Sequence, residues 1–166
     1  MILDISTLIF VHVLISFLAI VAGLFVLYGL LRSDSMPGAT GFFLAATAAT
    51  LLTGFLFPIS VLTPALATGI IAAIALIPAI AALYLFHLRG TWRGIYVIGS
   101  VVALYLNMFV LVVQAFLKIP SLNALAPNGS EPPFLVAQAV VLLAFIWAGI
   151  LAYRRFRPVP GMAALA

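Results

Sequence analysis

The feature that most constrains this chain is a series of apolar runs that no charged residue interrupts. The segments Ile5–Leu31, Phe42–Phe57, Pro64–His87, Ile95–Leu117 and Phe134–Tyr153 contain none of the seven Lys and Arg residues and none of the three Asp and Glu residues. A helix that crosses the hydrocarbon core of a bilayer needs roughly 20 mostly apolar residues, and all five runs are near that length. Only 6% of the residues are charged, against about 25% in a soluble domain. So few charges cannot cover a water-facing surface, and lipid has to replace water around most of the chain. The expected fold is therefore all-α, a polytopic transmembrane bundle of five spans forming a single domain over residues 1–166.

The separators are recognisable breakers. Ser33-Asp34-Ser35-Met36-Pro37-Gly38 is polar and turn-forming, Pro58 and Pro64 bracket a short hairpin, and Arg89-Gly90-Thr91-Trp92-Arg93-Gly94 is a basic turn. The longest connection, 118–133, holds Pro120, Pro127, Asn128, Gly129, Pro132 and Pro133. Ser130 reads as the cap of the last helix, with Glu131 in its first turn. The second run is slightly short, about 24 Å as a helix, and is expected to gain a turn from Gly41 and Pro58. The opening residues carry Asp4 and no basic residue, and the run that follows is longer than a signal-peptide core, so the first helix is expected to be retained.

Charge placement orients the bundle. With five spans, Arg32, Arg89, Arg93, Arg154, Arg155 and Arg157 share one side, and Lys118 stands on the other with Asp4 and Glu131. If the second run did not cross, the basic residues would divide five to two. The positive-inside rule then predicts an outer N-terminus, a cytoplasmic C-terminus, an outer loop at 118–133 and a short cytoplasmic tail at 154–166. Tyr28, Tyr84, Trp92, Tyr96 and Tyr153 fall near the same inner boundary, where amphipathic rings prefer to sit. The net charge of +4 is thereby explained without a nucleic-acid partner.

Small residues recur every four positions as Ala46, Thr50 and Gly54 in the second run and as Ala65, Gly69 and Ala73 in the third. Such stripes let backbones approach closely. Contact between neighbours in the bundle is the favoured reading. The alternative partners are a second copy of the chain or another membrane protein, in addition to the lipid bilayer. Pro78 is expected to kink the third span.

Few side chains could do chemistry at membrane depth. His12, Thr53, Gln114 and Gln138 fall in the outer half, with Asn107 deeper, near the middle of the fourth span. Ser100, Ala103, Asn107, Gln114 and Lys118 follow helical spacing. Because polar groups are costly against lipid, this stripe is expected to face inward. His12, Asn107, Gln114 and Gln138 are thus the candidate ligand-binding residues of a small polar pocket in the outer half, under the 118–133 loop. The plainer reading is a set of interhelical hydrogen bonds worth about 0.6 kcal/mol each. A haem is not favoured and no cofactor is predicted. His12 and His87 end up about 20 Å apart along the helix axes, too far for one shared haem. The absence of Cys removes thiolate chemistry. With no carboxylate inside any run there are no paired acids, no Ser–His–Asp triad and no carboxylate–histidine metal site. The catalytic and metal sets are both empty.

The stretches Phe86-His87-Leu88-Arg89-Gly90-Thr91-Trp92-Arg93, Ala103-Leu104-Tyr105-Leu106-Asn107 and Val110-Leu111-Val112-Val113-Gln114-Ala115-Phe116 carry a resemblance. It extends through Ala124-Leu125-Ala126-Pro127 and Ser130-Glu131-Pro132-Pro133-Phe134. Over residues 86–134 the chain resembles a group of small uncharacterised bacterial multi-pass inner-membrane proteins. The resemblance implies a bacterial inner membrane and draws attention to the Asn107/Gln114 face and the loop after it; it implies no activity. The function expected is a non-catalytic binding or accessory role. The alternatives are a small transporter or channel for a proton or polar solute, and a haem- or quinone-associated redox component.

Overall fold

The structure, a computed structural model, describes residues 5–57 and 64–158. Asp4, the hairpin between Pro58 and Pro64, and the tail beyond Pro158 lie outside the described residues. Within them the chain forms α1 (Ile5–Arg32), α2 (Pro37–Phe55), α3 (Pro64–Tyr84), α4 (Trp92–Lys118), the short α5 (Pro120–Asn123) and α6 (Pro132–Arg155), with no strand. All but α5 are long and apolar enough to cross a membrane.

Most helix ends lie within three residues of the expected bounds, and α2 stops at Phe55, so the turn expected toward Pro58 does not form; the start of α2 and the end of α3 differ for local reasons. α2 begins at Pro37, ahead of the apolar run, and has 19 residues, about 28 Å. Proline at the first helical position loses no hydrogen bond and has its φ already set. The small residues that follow continue the helix although they add little hydrophobicity. α3 stops at Tyr84 rather than His87. The Leu85 and Phe86 amides both bond to Ala81 O, at 2.9 and 3.0 Å, and the Leu88 amide bonds to Ala82 O at 2.9 Å. His87 and Leu88 take left-handed φ values of 48° and 57°, because the chain must reverse before Gly90 supplies a permissive residue. Burial of the Leu88 side chain and a Phe86–Trp92 stack at 3.7 Å hold this turn closed.

α4 is the central helix, touching α1, α3, α5 and α6, while α1 packs most extensively on α2 and α3 on α4. Two glycines set the closest approaches. A Cβ on Gly23 would lie 2.5 Å from Leu104 Cδ1 and 2.8 Å from Phe43 Cε2; one on Gly99 would lie 2.6 Å from the carbonyl oxygen of Ala75. Of the two small-residue stripes, the one on α2 packs against α1, with Ala46 and Thr50 buried and Gly54 against His12. On α3 the close face is not Ala65, Gly69 and Ala73. Ala65 is exposed and Gly69 sits against Phe55, whereas Ala75 and Ala79 meet Gly99. Ala75 and Ala79 follow the same four-residue spacing as Ala65, Gly69 and Ala73. The partner glycine on α4 is what selects the Ala75/Ala79 face. Pro78 lies inside a helix that continues on both sides of it.

The buried core, with Phe43, Leu76, Tyr96, Val97, Leu104 and Phe156 as its large side chains, occupies one half of the bundle. That is the half capped by Arg32, Arg89, Arg93, Arg154, Arg155 and Arg157. The Arg157 amide donates to Ser33 Oγ at 2.7 Å, and Arg93 Nη1 donates to the carbonyl oxygens of Tyr153 and Phe156 at 3.0 and 2.8 Å. These bonds tie the α1–α2 turn, the start of α4 and the end of α6 together. Lys118 and Glu131 lie at the opposite end, where Phe116 meets Phe134 edge-on at 5.4 Å.

Candidate functional site

The polar side chains at the Lys118 end fall into two seams. In the first, between α1 and α2, His12 Nδ1 lies 2.8 Å from Thr53 Oγ1, and that hydroxyl donates to Ala49 O at 2.8 Å. A hydroxyl has one proton, so the arrangement that satisfies every atom has His12 Nδ1–H donating to Thr53. Ser16 Oγ donates to His12 O at 2.7 Å and approaches Thr50 Oγ1 at 3.4 Å. Phe57 stands edge-on to the His12 ring at 5.3 Å. The spacing of His12 and Ser16, four apart, against Thr50 and Thr53, three apart, puts each pair on one helix face. That spacing is the signal by which Ser16 and Thr50 could have been placed with His12.

In the second seam, between α4 and α6, Gln138 is buried and its Nε2 donates to the Phe109 carbonyl at 3.2 Å. Gln138 Oε1 is buried there with no hydrogen-bond partner; elsewhere Asn107 Nδ2 and Ser100 Oγ, on the face of α4 turned away from the α6-facing Val102, Tyr105 and Phe109, and Thr47 Oγ1 of α2 are buried without partners as well. The stripe on α4 turns inward only in part. Ser100 and Ala103 are buried and Asn107 is half-buried, but Gln114 and Lys118 are exposed. Among the described residues no hydrogen bond joins any two of His12, Asn107, Gln114 and Gln138. His12 is instead engaged by α2, Gln138 by the α4 backbone, and Gln114 lies on the surface. His87, in the α3–α4 turn, is at the other end of the bundle from His12.

The 118–133 connection holds itself together locally. α5 packs on α4, and Asn123 Nδ2 donates to Phe116 O at 3.2 Å. The helix-capping position belongs to Glu131, not Ser130. Pro132 occupies the first turn and forces the preceding residue into an extended conformation, ψ 156°. Glu131 Oε1 accepts from the Asn128 amide and side chain, at 3.0 and 2.8 Å, and Oε2 accepts from the Ser130 amide at 3.0 Å. Desolvation acts to raise its pKa, but these donors outweigh it and hold the carboxyl below the ordinary glutamate value.

A larger feature lies between α4 and α6 in the arginine half, where no single residue type announces it. It is an apolar groove of about 550 Å³, walled by Val102, Tyr105 and Leu106 of α4 and by Leu142, Ile146 and Ile150 of α6. Volumes of roughly 300–1,000 Å³ are usual for small-molecule sites. Its floor is closed where Gly149 lets α6 approach α4; a Cβ there would meet Val101 Cγ1 at 3.2 Å. Tyr153 and Arg154 line its basic end. Among the described residues no group of three or more His, Cys, Asp or Glu side chains could hold a metal ion.

The fold defines a class: an all-helical protein with five helices of membrane-spanning length and apolarity. Compared with protein-family models, curated proteins and solved structures, the chain matches none.

Proposed function

We propose that this chain is a non-catalytic multi-pass protein of the bacterial inner membrane, a single domain that binds an amphiphilic ligand in the seam between α4 and α6. The groove of about 550 Å³ carries this reading. It is apolar, borders helix faces that are otherwise exposed, and is large enough for one extended chain. The six arginines at one end support a cytoplasmic C-terminus and an outer N-terminus. The residue stretches between Phe86 and Phe134 that carry the resemblance support the bacterial setting.

Filling the groove tests the reading. The unaltered protein should carry a co-purifying adduct in native mass spectrometry, and Val102→Trp from the α4 wall, or Ile146→Trp from the α6 wall, should abolish it while helicity is kept. An adduct that persists in both variants would refute the assignment. A reporter fused to each terminus checks orientation, and finding both on one side would remove the five-span topology.

A second reading rests on a separate observation. Asn107 Nδ2 and Gln138 Oε1, a donor and an acceptor, are left without partners in the half that carries Lys118. A small polar ligand or a proton-carrying water chain in the outer half would satisfy them. Asn107→Leu combined with Gln138→Leu should then change ligand retention or proton flux. A change in thermal stability alone would leave both residues as packing groups.

A further inference from the structure

The proposed groove has a polarity, and the geometry points to the chemical class of its occupant: an anionic phospholipid of the arginine-side leaflet, with one acyl chain along α4 and α6 and its phosphate on Arg154. This inference rests on the binding reading above and adds the headgroup. The groove wall on α6 runs from Leu142 to Arg154, about 18 Å of helix. One leaflet contributes roughly 15 Å of hydrocarbon. The groove therefore reaches from the headgroup level to near the bilayer midplane, the extent of one acyl chain.

The charge at the mouth is one-sided. Arg154 lines the groove and is exposed. Beside it Arg93 is immobilised by the Tyr153 and Phe156 carbonyls, with its guanidinium 5.1 Å from the centre of the Tyr153 ring. Asp34 is the carboxylate at this end, and its Oδ1 is occupied by the Met36 amide at 3.1 Å. A guanidinium on a long apolar stem beside a hydrocarbon channel suits a phosphodiester, because the stem lies against the chain while the fork meets the phosphate oxygens. A choline headgroup would bring a second cation to a site already rich in them.

The discriminating experiment uses the delipidated full chain in detergent with equal amounts of phosphatidylglycerol and phosphatidylcholine of identical acyl chains, read by native mass spectrometry. The unaltered protein should retain phosphatidylglycerol about five-fold over phosphatidylcholine. Arg154→Gln should remove that preference and still bind both lipids, whereas Arg155→Gln, one position round the helix, should keep it. Val102→Trp should lose both lipids. Equal retention of the two lipids by the unaltered protein would overturn the headgroup assignment and leave the groove reading standing. So would equal effects of Arg154→Gln and Arg155→Gln, which would reduce the preference to general surface charge. Lipid binding that survives Val102→Trp would overturn the groove itself. A dimer that retains no lipid would do the same, and would make the groove an interface between two copies.

Discussion

The α1–α2 seam and the α4–α6 seam are built from the same materials and end differently. Both pair a glycine-bearing apolar helix with a neighbour, and both carry polar side chains toward the Lys118 end. α1 and α2 are joined through residues 33–36, and their seam is closed along its length. α4 and α6 are separated by the 118–133 connection, and α6 is held at its two ends. Arg93 and Phe156 fix one end and the Phe116–Phe134 contact and Gln138 the other. Between those anchors the contact is narrow: Tyr105 meets Phe145 at 5.9 Å and Gly149 approaches Val101, α6 packs also on α1, and the groove lies open beside these contacts. Only 11% of the apolar window of α6 is buried, against 39% for α4. A short turn fixes register and brings the whole interface into contact, whereas the longer connection leaves room beside a narrow line of contacts. In lipid, where no hydrophobic force closes such a gap, the room persists.

Glycine substitutions should show the largest difference between the seams. Gly23→Leu drives a side chain into Phe43 and Leu104 and should cost about 1–3 kcal/mol or more as overpacking, seen as a lower midpoint of thermal unfolding in detergent. Gly149→Ala should be neutral or stabilising by up to about 1 kcal/mol, because Val101 borders the groove and can yield. A large loss at Gly149 would show that the α4–α6 seam is as tightly closed as the other.

Hydrogen-bond deletions should differ less. Thr53→Val strips His12 Nδ1 of its partner and should cost about 0.6–1.7 kcal/mol. Gln138→Leu removes one bond together with an unsatisfied acceptor, so its cost should stay within about 0.5 kcal/mol of zero. Equal losses would erase the contrast in polar satisfaction.

The smallest effect belongs to Glu131, outside both seams. Its pKa is depressed in the folded chain, so its contribution is fully present above the unfolded value near 4.5 and is lost as pH falls through the depressed folded value. Amide exchange of residues 128–130 should accelerate over that acid range, and Glu131→Gln should flatten the dependence. An unchanged profile in the variant would dissociate the carboxylate from the loop.

Helix number and the sharing of one end by six arginines were legible because each depends on composition within a window. Facing was less so. The 65/69/73 stripe and the inward turn of Gln114 both assumed that spacing alone selects a face, yet Gly99 on another helix decides the first and the exposed upper part of α4 decides the second. His12 was picked out as polar at depth, but its side-chain partner Thr53 lies 41 positions away and only a register between α1 and α2 brings it near. The groove could not be read at all, since it is a difference between two surfaces rather than a property of either.

The short stretch after α6 has a consequence for the order of assembly. Phe156 is fully buried beside Tyr96, its carbonyl accepts from Arg93, and the next amide reaches Ser33. α6 is thus latched by residues that leave the ribosome after its own final turn. Until residues 156 and 157 emerge, the arginine end of α6 has only Tyr153, through Arg93 and Gly94, to fasten it. Shortening the chain to Arg155 would leave the five long helices intact and take away the buried Phe156 ring, one of the two carbonyls that hold Arg93, and the bond to Ser33.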